Sequence, residues 1–391
     1  MKAAFDRKIK ILNLILLIYI VTLFGILFLS GCNNNLINIE ENFNFEKTSQ
    51  YAIDTTKQIT ETTGEKIDKE ITGNTASTIE LNSYNSTDVA SDEVLFSFSV
   101  CGDNRPADDY LPQPQVFLKL LELIKKEDVA FHMTAGDIIN GGTDNSKIIK
   151  RQFSDYLNAL KILPVINFVS PGNHDIANDT SKEYFLEMIN KKAFRQSMIN
   201  GIQIFIPDIG KDTINSDTIL KDASSRNSFY YYFEFKGTYF VILDAFEKGY
   251  WGAIESNQIA WLEKVLESIR DKEVFVFIHA PVYSDLNPET IVDGSKHVAF
   301  SSKKNQDYIR ELFKKYKVDA VFSGHEHMYS KQFHDGTTYI ITALSGEYPF
   351  VPKDEGGFYH FLKIDVRERS WTLNVIDSNG SFYYQEEIAF N

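Results

Sequence analysis

The sequence predicts an α/β fold over residues 93–391. Short runs of β-branched and aromatic residues recur along this region, and amphipathic stretches with apolar residues at i, i+3 and i+4 lie between them. Alternating strands and helices predict a layered core in which ligands bind beyond the carboxyl ends of the strands. With 43% hydrophobic and 14% aromatic residues, the 391-residue chain has enough apolar material to bury a large core.

Five predicted strands each lead into a polar turn. The strands are expected at 94–100, 129–134, 164–169, 274–278 and 318–322. The turns contain Asp103, Asp137, Gly-Asn-His-Asp at 172–175, His279, and Gly-His-Glu-His at 324–327. Helices with one buried face are expected near 116–124, 148–160 and 259–269. The polar turns therefore belong at the ligand-binding edge of the core.

Two regions depart from this pattern. Between residues 175 and 228 the chain contains a helix-like piece near 184–198 and a loop, which we interpret as an insertion near the site. Tyr230 to Tyr232, Tyr250 and Trp251 either line a cleft or belong to the core. After residue 329, strand-like runs alternate with glycine turns and predict a second, largely antiparallel sheet that closes the domain.

The N-terminus predicts export. Basic residues precede an apolar stretch at 11–29, as in a secretory signal. The stretch ends in Leu-Ser-Gly-Cys at 29–32, which resembles the bacterial lipobox. That resemblance implies a signal peptide at 1–31, followed by lipidation of Cys32, and acyl chains hold a protein on a membrane surface. The alternative is an uncleaved transmembrane helix.

Residues 32–92 are rich in Asn, Thr, Ser and Glu and have scattered apolar residues. This composition predicts a lipid-anchored flexible tether, and a small extra domain is the alternative. The predicted location is extracytoplasmic, on the bacterial cell membrane, with residues 93–391 forming the folded domain.

The chain is acidic, with a formal net charge of −14 and a pI near 5.1. Such a balance disfavours nucleic-acid partners, since their affinity depends on clustered basic residues. The two cysteines, Cys32 and Cys101, predict no disulfide framework, and Cys101 is expected to be a buried small hydrophobe.

The polar turns provide six candidate metal ligands, all with oxygen or imidazole donors: Asp103, Asp137, Asn173, His279, His325 and His327. Two divalent ions roughly 3.5–4 Å apart need about this many ligands and a shared carboxylate, for which Asp137 is the natural choice. The mixture of carboxylate, amide and imidazole suits Mn, Fe or Zn better than Ca or Mg.

These residues resemble the motif series of the calcineurin-like metallophosphoesterases. The family's D-x-H, G-D, G-N-H-D/E, lone H and G-H-x-H motifs are matched in order between about residues 94 and 332. The resemblance implies a layered αββα sandwich with two central sheets and a metal-dependent hydrolase acting on phosphate esters. A small phosphate ester is the implied substrate.

The resemblance also implies a role for each residue. One ion would be held by Asp103, Asp137 and His327, and the other by Asp137, Asn173, His279 and His325. A hydroxide bridging the ions would attack phosphorus while His174 stabilises or protonates the leaving oxygen. Asp175 could orient the His174 imidazole.

Arg105 stands where the family usually has the histidine of its first motif. A guanidinium cannot coordinate a cation, so Arg105 either weakens the first ion's site or points at the substrate and binds phosphate oxygens. Asn104 and Asn173 are further candidates for binding substrate. The position three residues after Asp137 is Asn140, not the tyrosine of purple acid phosphatases, so an Fe(III)–tyrosinate centre is not expected.

Two other readings stay open. The chain could be a non-catalytic surface lipoprotein that uses the same fold as a binding module, or a phosphodiesterase. Four further histidines are interpreted as structural: His132, His297, His334 and His360.

Overall fold

The computed structural model describes residues 93–189, 203–205, 229–246, 252–292 and 295–391. The predicted signal peptide, Cys32, the tether, Tyr250 and Trp251 lie outside the described residues. In the described part of the chain, no helix combines the length and apolar character needed to cross a membrane.

The described elements alternate as the sequence predicts in the first half and become strand-rich in the second. The longer helices are α1 Gln115–Ile124, α2 Ser146–Leu160, α3 Asp179–Ile189, α4 Ser256–Ser268 and α5 Lys303–Lys315. The strands up to the fourth helix are β1 Phe96–Cys101, β2 Phe131–Thr134, β3 Ile166–Val169, β4 Gln203–Phe205, β5 Tyr231–Phe235 and β6 Thr238–Leu243. The later strands are β7 Val274–Ile278, β8 Ile291–Val292, β9 Ser295–Lys296, β10 Ala320–Ser323, β11 Tyr329–His334, β12 Thr337–Thr342, β13 His360–Val366, β14 Ser370–Asp377 and β15 Phe382–Ala389.

Among the described residues, the strands form two mixed sheets and a short β8–β9 hairpin. The six-stranded sheet has the order β15-β14-β13-β1-β2-β3, and the seven-stranded sheet has the order β11-β12-β10-β7-β6-β5-β4. Strands β1, β2 and β3 run parallel in the first sheet, and β6, β7, β10 and β12 run parallel in the second.

The two sheets face each other across an aromatic core. Phe98 is fully buried, stacks on Phe131 at a centroid distance of 5.2 Å and meets Phe240 of the other sheet edge to face, also at 5.2 Å. Burying each phenylalanine contributes roughly 1.5–3 kcal/mol before its entropy cost. Tyr231 belongs to this core, so the structural reading of that tyrosine is correct.

Helices cover the outer faces of both sheets. α1, α2 and α3 pack on the six-stranded sheet through side chains such as Leu120 and Phe153, while α4 and α5 pack on the seven-stranded sheet through Leu262 and Phe313. The predicted αββα sandwich is therefore confirmed.

Three details differ from the sequence prediction. The strands after residue 329 do not form a separate sheet: β11 and β12 extend the seven-stranded sheet, and β13 to β15 extend the six-stranded one. β13 pairs antiparallel with β1, a contact between distant residues that no local pattern indicates. Helix α5 was not predicted, although Ser302 caps it and Ile309, Leu312 and Phe313 are buried. Helix α3 begins earlier than the expected helix near 184–198.

Candidate metal centre

The predicted ligands meet where parallel strands of both sheets end. Asp103, Asp137 and Asn173 follow β1, β2 and β3, so every oxygen donor comes from the six-stranded sheet. The imidazoles follow β7 and β10 of the seven-stranded sheet: His279, His325 and His327. The two sets approach each other across the end of the sandwich.

Three of these side chains form a compact buried cluster. Donor atoms of Asp103, Asp137 and His279 all lie within 4.8 Å of one another. His279 Nε2 is 3.4 Å from Asp137 Oδ1 and 3.9 Å from Asp103 Oδ1, and all three residues are buried. Carboxylates and an imidazole converging in this way are suited to a divalent metal ion.

The remaining predicted ligands lie beside this cluster. His327 Nε2 is 3.5 Å from Asp103 Oδ1, and His325 Nδ1 is 3.0 Å from Asn173 Oδ1. The backbone N–H of His325 also donates to both oxygens of Asp103, at 3.1 and 3.0 Å. The structure therefore brings all six predicted ligands to one place, and their division between two ions remains a prediction.

The turns that carry these residues are tight. Asp103 and Asp137 have φ angles of 53° and 55°, in the left-handed region that Asp tolerates better than most residues. Backbone hydrogen bonds join the turns, from Asp103 N to Gly136 O and from Gly324 N to His279 O, both at 3.0 Å. The ligand positions are thus fixed by the backbone.

Two glycines allow the turns to approach the carboxylates. A Cβ atom at Gly172 would overlap the Asp137 carboxylate, and one at Gly324 would come within 2.5 Å of Asp103 Oδ2 and 2.6 Å of His279 Nδ1. Glycine is therefore required at these two positions, because the cluster leaves no room for a Cβ atom.

Backbone carbonyls orient two of the imidazoles. His279 Nδ1 lies 2.6 Å from Ala135 O, and His327 Nδ1 lies 2.9 Å from Tyr348 O. Since a carbonyl accepts, each Nδ1 carries the proton and each Nε2 faces the carboxylates. The buried Nε2 of His279 has no hydrogen-bond partner, which fits a metal ligand.

Electrostatics also fit a cation at this position. Burial opposes the charge on Asp137, but His279, His174 and Arg105 outweigh it and hold the pKa of Asp137 well below its usual value. Burial would lower the pKa of His279, but Asp137 and Asp103 raise it to about 10. In the metal-free protein a proton on His279 thus takes the place of a positive ion.

His174 reaches the cavity beside the cluster, but Asp175 does not orient it. His174 Nδ1 lies 2.5 Å from the carbonyl oxygen of Asn140, and burial lowers the pKa of His174. The Asp175 carboxylate instead accepts backbone N–H bonds from Asp137, Ile138 and Gly172, each at 2.8 Å. The His174 Nδ1 lies on the Asn140 carbonyl and the Asp175 oxygens lie on turn amides, so the predicted role of Asp175 in orienting the imidazole is wrong and its role is structural.

Arg105 lies between two buried carboxylates. Its Nε is 3.9 Å from Asp137 Oδ2, and its Nη1 is 3.3 Å from Oε1 of Glu347. Glu347 was not predicted from the sequence. Its signal is its position in a polar turn after the β-branched and aromatic run 337–342, the same pattern that identified the other site residues.

Asn104 does not line the cavity beside the cluster. It is fully buried, and its Nδ2 donates to Gln113 Oε1 at 2.8 Å, so the predicted substrate-binding role is wrong. Gln113 in turn donates to Ile138 O at 2.9 Å, which ties Asn104 to the loop after β2.

A cavity of about 460 Å³ opens over the cluster. Its polar lining includes Arg105, Asp137, Asn173, His174, His325 and His327, and Tyr348 and Phe350 also line it. His297, which the sequence analysis set aside, lies in the same wall, 3.5 Å from Oε1 of buried Glu326 and at a ring-centroid distance of 4.9 Å from His325. No motif marks His297, since it belongs to an irregular segment far from the predicted strand ends.

The other three histidines interpreted as structural have structural contacts. His132 is buried and lies 2.8 Å from Ser99 Oγ, His334 stacks on Tyr283, and His360 is buried beside Thr342. Cys101 is buried, as expected, and burial raises the pKa of its thiol to about 12.

Residues 97–329, more than half of the chain, match the calcineurin-like phosphoesterase family. The chain belongs to this family. The match includes the whole candidate centre except Glu347 and the last cavity residues, Tyr348 and Phe350.

Relatives within this phosphoesterase family carry different activities. The chain is 25% identical over 212 residues to a probable glycerophosphodiester phosphodiesterase from Arcobacter nitrofigilis, covering 54% of this chain and 60% of the relative. It is 29% identical over 136 residues to Fe(3+)-Zn(2+) purple acid phosphatase 12 of Arabidopsis thaliana, covering 32% of this chain and 26% of the relative. The match therefore spans less than two thirds of either relative.

A solved structure supports the fold. A dimetal phosphatase from Danio rerio aligns with a TM-score of 0.53 at 16% identity, covering 76% of this chain and all of that one. This likeness concerns the fold alone.

Proposed function

We propose that this protein is a metal-dependent phosphoesterase that hydrolyses a small phosphate ester outside the cytoplasm. The observation that carries the proposal is the buried cluster of Asp103, Asp137 and His279 beneath a cavity that His174 and Arg105 also line. Family membership and the dinuclear centre implied by the purple acid phosphatase relatives support it.

The donor set fits two ions of the Mn, Fe or Zn type. Asp103, Asp137 and His327 would hold one, and Asp137, Asn173, His279 and His325 the other. When bound, such ions polarise phosphoryl oxygens and make water a stronger nucleophile at neutral pH.

Protein side chains supply the remaining chemistry. Arg105 presents guanidinium N–H groups that bind phosphate oxygens as a charged pair. Hydrolysis joins a water oxygen to phosphorus and breaks the bond to the ester oxygen, which needs a proton as it leaves. His174 has its Nδ1 fixed on the Asn140 carbonyl, so its Nε2 is the atom able to take up a proton released by the attacking water and to deliver a proton to the ester oxygen.

The cavity favours a compact substrate. A volume of about 460 Å³ accommodates a small molecule, and Tyr348 and Phe350 offer aromatic surface to an organic leaving group. Because the Arcobacter relative is a probable phosphodiesterase, diesters are a second candidate class beside monoesters.

The location rests on the N-terminal sequence. We propose that Cys32 is lipidated and that the tether holds the catalytic domain at the membrane surface. Labelled palmitate should enter the wild-type protein and not a Cys32→Ser variant. Equal labelling of the two would contradict lipidation at this residue.

Hydrolysis is tested with the purified full-length protein. Chromogenic mono- and diesters are supplied with Mn²⁺, Fe²⁺ or Zn²⁺, and metal content is measured in parallel. Asp137→Asn should lose both activity and metal. The control is Asp365→Asn. Asp365 lies on β13 opposite Ser97 of β1, and its carboxylate accepts a hydrogen bond from Ser97, so this variant should keep activity and metal.

Two outcomes would contradict the proposal, the first for the metal centre and the second for enzymatic activity. Unchanged turnover in Asp137→Asn would refute the assigned centre. A wild-type protein that binds one metal or none and hydrolyses neither ester class would favour the binding module.

A further inference from the structure

Arg105 is a permanent cation placed inside a site built for metal ions. Its side chain is 10% exposed, and it lies between the carboxylates of Asp137 and Glu347, which are 3% and 2% exposed. Asp137 is the residue expected to serve both ions, so a permanent charge placed beside it bears directly on metal binding.

A guanidinium beside Asp137 competes with metal for the same oxygens. Charges separated by a few ångströms interact strongly when water is excluded, and guanidinium groups favour paired, bidentate contacts with carboxylates. If Arg105 closed onto Asp137, the ion pair would occupy the carboxylate that would otherwise bind metal. The observed contact is loose, at 3.9 Å, and no hydrogen bond joins Arg105 Nε to that carboxylate.

Glu347 is fixed in a position that draws the guanidinium the other way. Its backbone N–H donates to Asp103 O at 3.1 Å, which holds residue 347 above the turn that carries Arg105. Gly346 packs against the Asn104 backbone so closely that a Cβ atom would come within 2.7 Å of Asn104 O. The Glu347 carboxylate then lies 3.3 Å from Arg105 Nη1, nearer than Asp137 at 3.9 Å, and this contact too is an ion pair without a hydrogen bond at Oε1.

We propose that Glu347 is a positioning residue that holds Arg105 off Asp137. It thereby leaves Asp137 free to bind metal and keeps the Arg105 guanidinium at the cavity wall, where it meets the phosphate of the substrate. The claim about metal concerns the candidate centre, and the claim about substrate rests on the proposed function.

Glu347→Gln in the full-length protein tests the proposal. The neutral amide no longer draws Arg105 away, so Mn²⁺ affinity, measured by titration calorimetry, should fall about tenfold. At saturating Mn²⁺, KM for a chromogenic phosphate ester should rise while kcat changes little, because Arg105 is displaced from the phosphate.

The decisive comparison is made in an Arg105→Ala background. With the competing cation removed, the Arg105→Ala/Glu347→Gln double variant should recover Mn²⁺ affinity to about the wild-type level, and Glu347→Gln should have no further effect on KM. A double variant that binds Mn²⁺ as weakly as Glu347→Gln would overturn the proposal, since Glu347 would then act directly as a ligand or as a structural group. Unchanged Mn²⁺ affinity in the single variant would overturn it as well.

Two further measurements distinguish a folding defect, or failure of the proposed function, from failure of the proposal about Glu347. If Glu347→Gln does not fold, Glu347→Asp keeps the charge but shortens its reach, and it should weaken Mn²⁺ binding in the same Arg105-dependent manner. If the wild type binds Mn²⁺ but hydrolyses no ester, the proposed function fails while the Mn²⁺ titrations still decide the role of Glu347.

Discussion

His279 Nε2 lies 3.4 Å from Asp137 Oδ1, and both side chains are removed from water. In the metal-free protein the protonated imidazole and the ionised carboxylate form an ion pair at this distance, with no hydrogen bond from Nε2. The same two atoms are those that a metal ion would contact. Metal binding and proton release are therefore linked at this pair.

Metal affinity should rise with pH for this reason. The pKa of His279 is raised from 6.5 to about 10, so the imidazole is protonated near pH 7 and must lose that proton to bind metal. Between pH 6 and 8 we expect Mn²⁺ affinity to increase about tenfold per pH unit, with about one proton released. Calorimetry in two buffers of different ionisation enthalpy measures this release, and buffer-independent heats would contradict it.

The same pKa shift gives a prediction for the stability of the metal-free protein. A pKa raised in the folded state contributes stability that is fully present below pH 6.5 and is lost as pH rises through about 10. Denaturant unfolding in the presence of a chelator should show this loss. In His279→Gln, the decrease in unfolding free energy at alkaline pH should be smaller, because the contribution of His279 is gone. A dependence of stability on pH identical to that of the wild type would argue against a protonated His279.

His174→Ala should retain metal and lose rate in a way that depends on the leaving group. General acid catalysis contributes about 10²–10⁴-fold when the leaving oxygen is basic, and little when it is a good leaving group. We expect kcat to fall far more for an alkyl phosphate than for a nitrophenyl phosphate. An equal loss on both substrates, with metal content unchanged, would exclude proton donation by His174.

Gly172→Ala should destroy the centre without unfolding the sandwich. The added methyl group would overlap both Oδ1 and the backbone nitrogen of Asp137, so the turn that carries Asp137 must move together with its carboxylate. A suitable control is Gly237→Ala, at a left-handed turn where the new Cβ meets nothing within 4 Å. Both variants should lose about 1 kcal/mol or more of stability, but only Gly172→Ala should lose metal and activity.

His297→Ala should weaken substrate use, because its ring lines the cavity and lies beside the Glu326 carboxylate. We expect kcat/KM to fall about tenfold, which corresponds to about 1.4 kcal/mol of lost interaction. His334→Ala is the matched control, since His334 stacks on Tyr283 and does not line the cavity. Equal effects of the two substitutions would exclude a substrate-binding role for His297.

Much of the fold was predictable because its central strands are buried on both faces. Strands such as Val274–Ile278 appear in the sequence as continuous apolar runs, and a polar turn marks the end of each. The order of strands within the sheets was not predictable. The pairing of β1 with β13 joins residues that are distant in the sequence. Local sequence does not show whether a late strand extends an existing sheet or forms a separate one.

The metal ligands were predictable because each stands in a motif at a strand end. The supporting residues were less so. Asp175 stands beside His174 in the sequence, yet its carboxylate turns to the backbone of Ile138, a contact set by how two loops meet. Glu347 reaches Arg105 only after the chain has passed through both sheets, so no spacing rule could have paired them.

The oxygen donors extend from one sheet and the nitrogen donors from the other, so neither sheet alone carries a complete metal site. A bound ion would link the two sheets through its ligands. Any substitution in the shared aromatic interior that lets one layer slide over the other would separate the two kinds of donor. Loss of metal would then report a packing defect many residues away from any ligand.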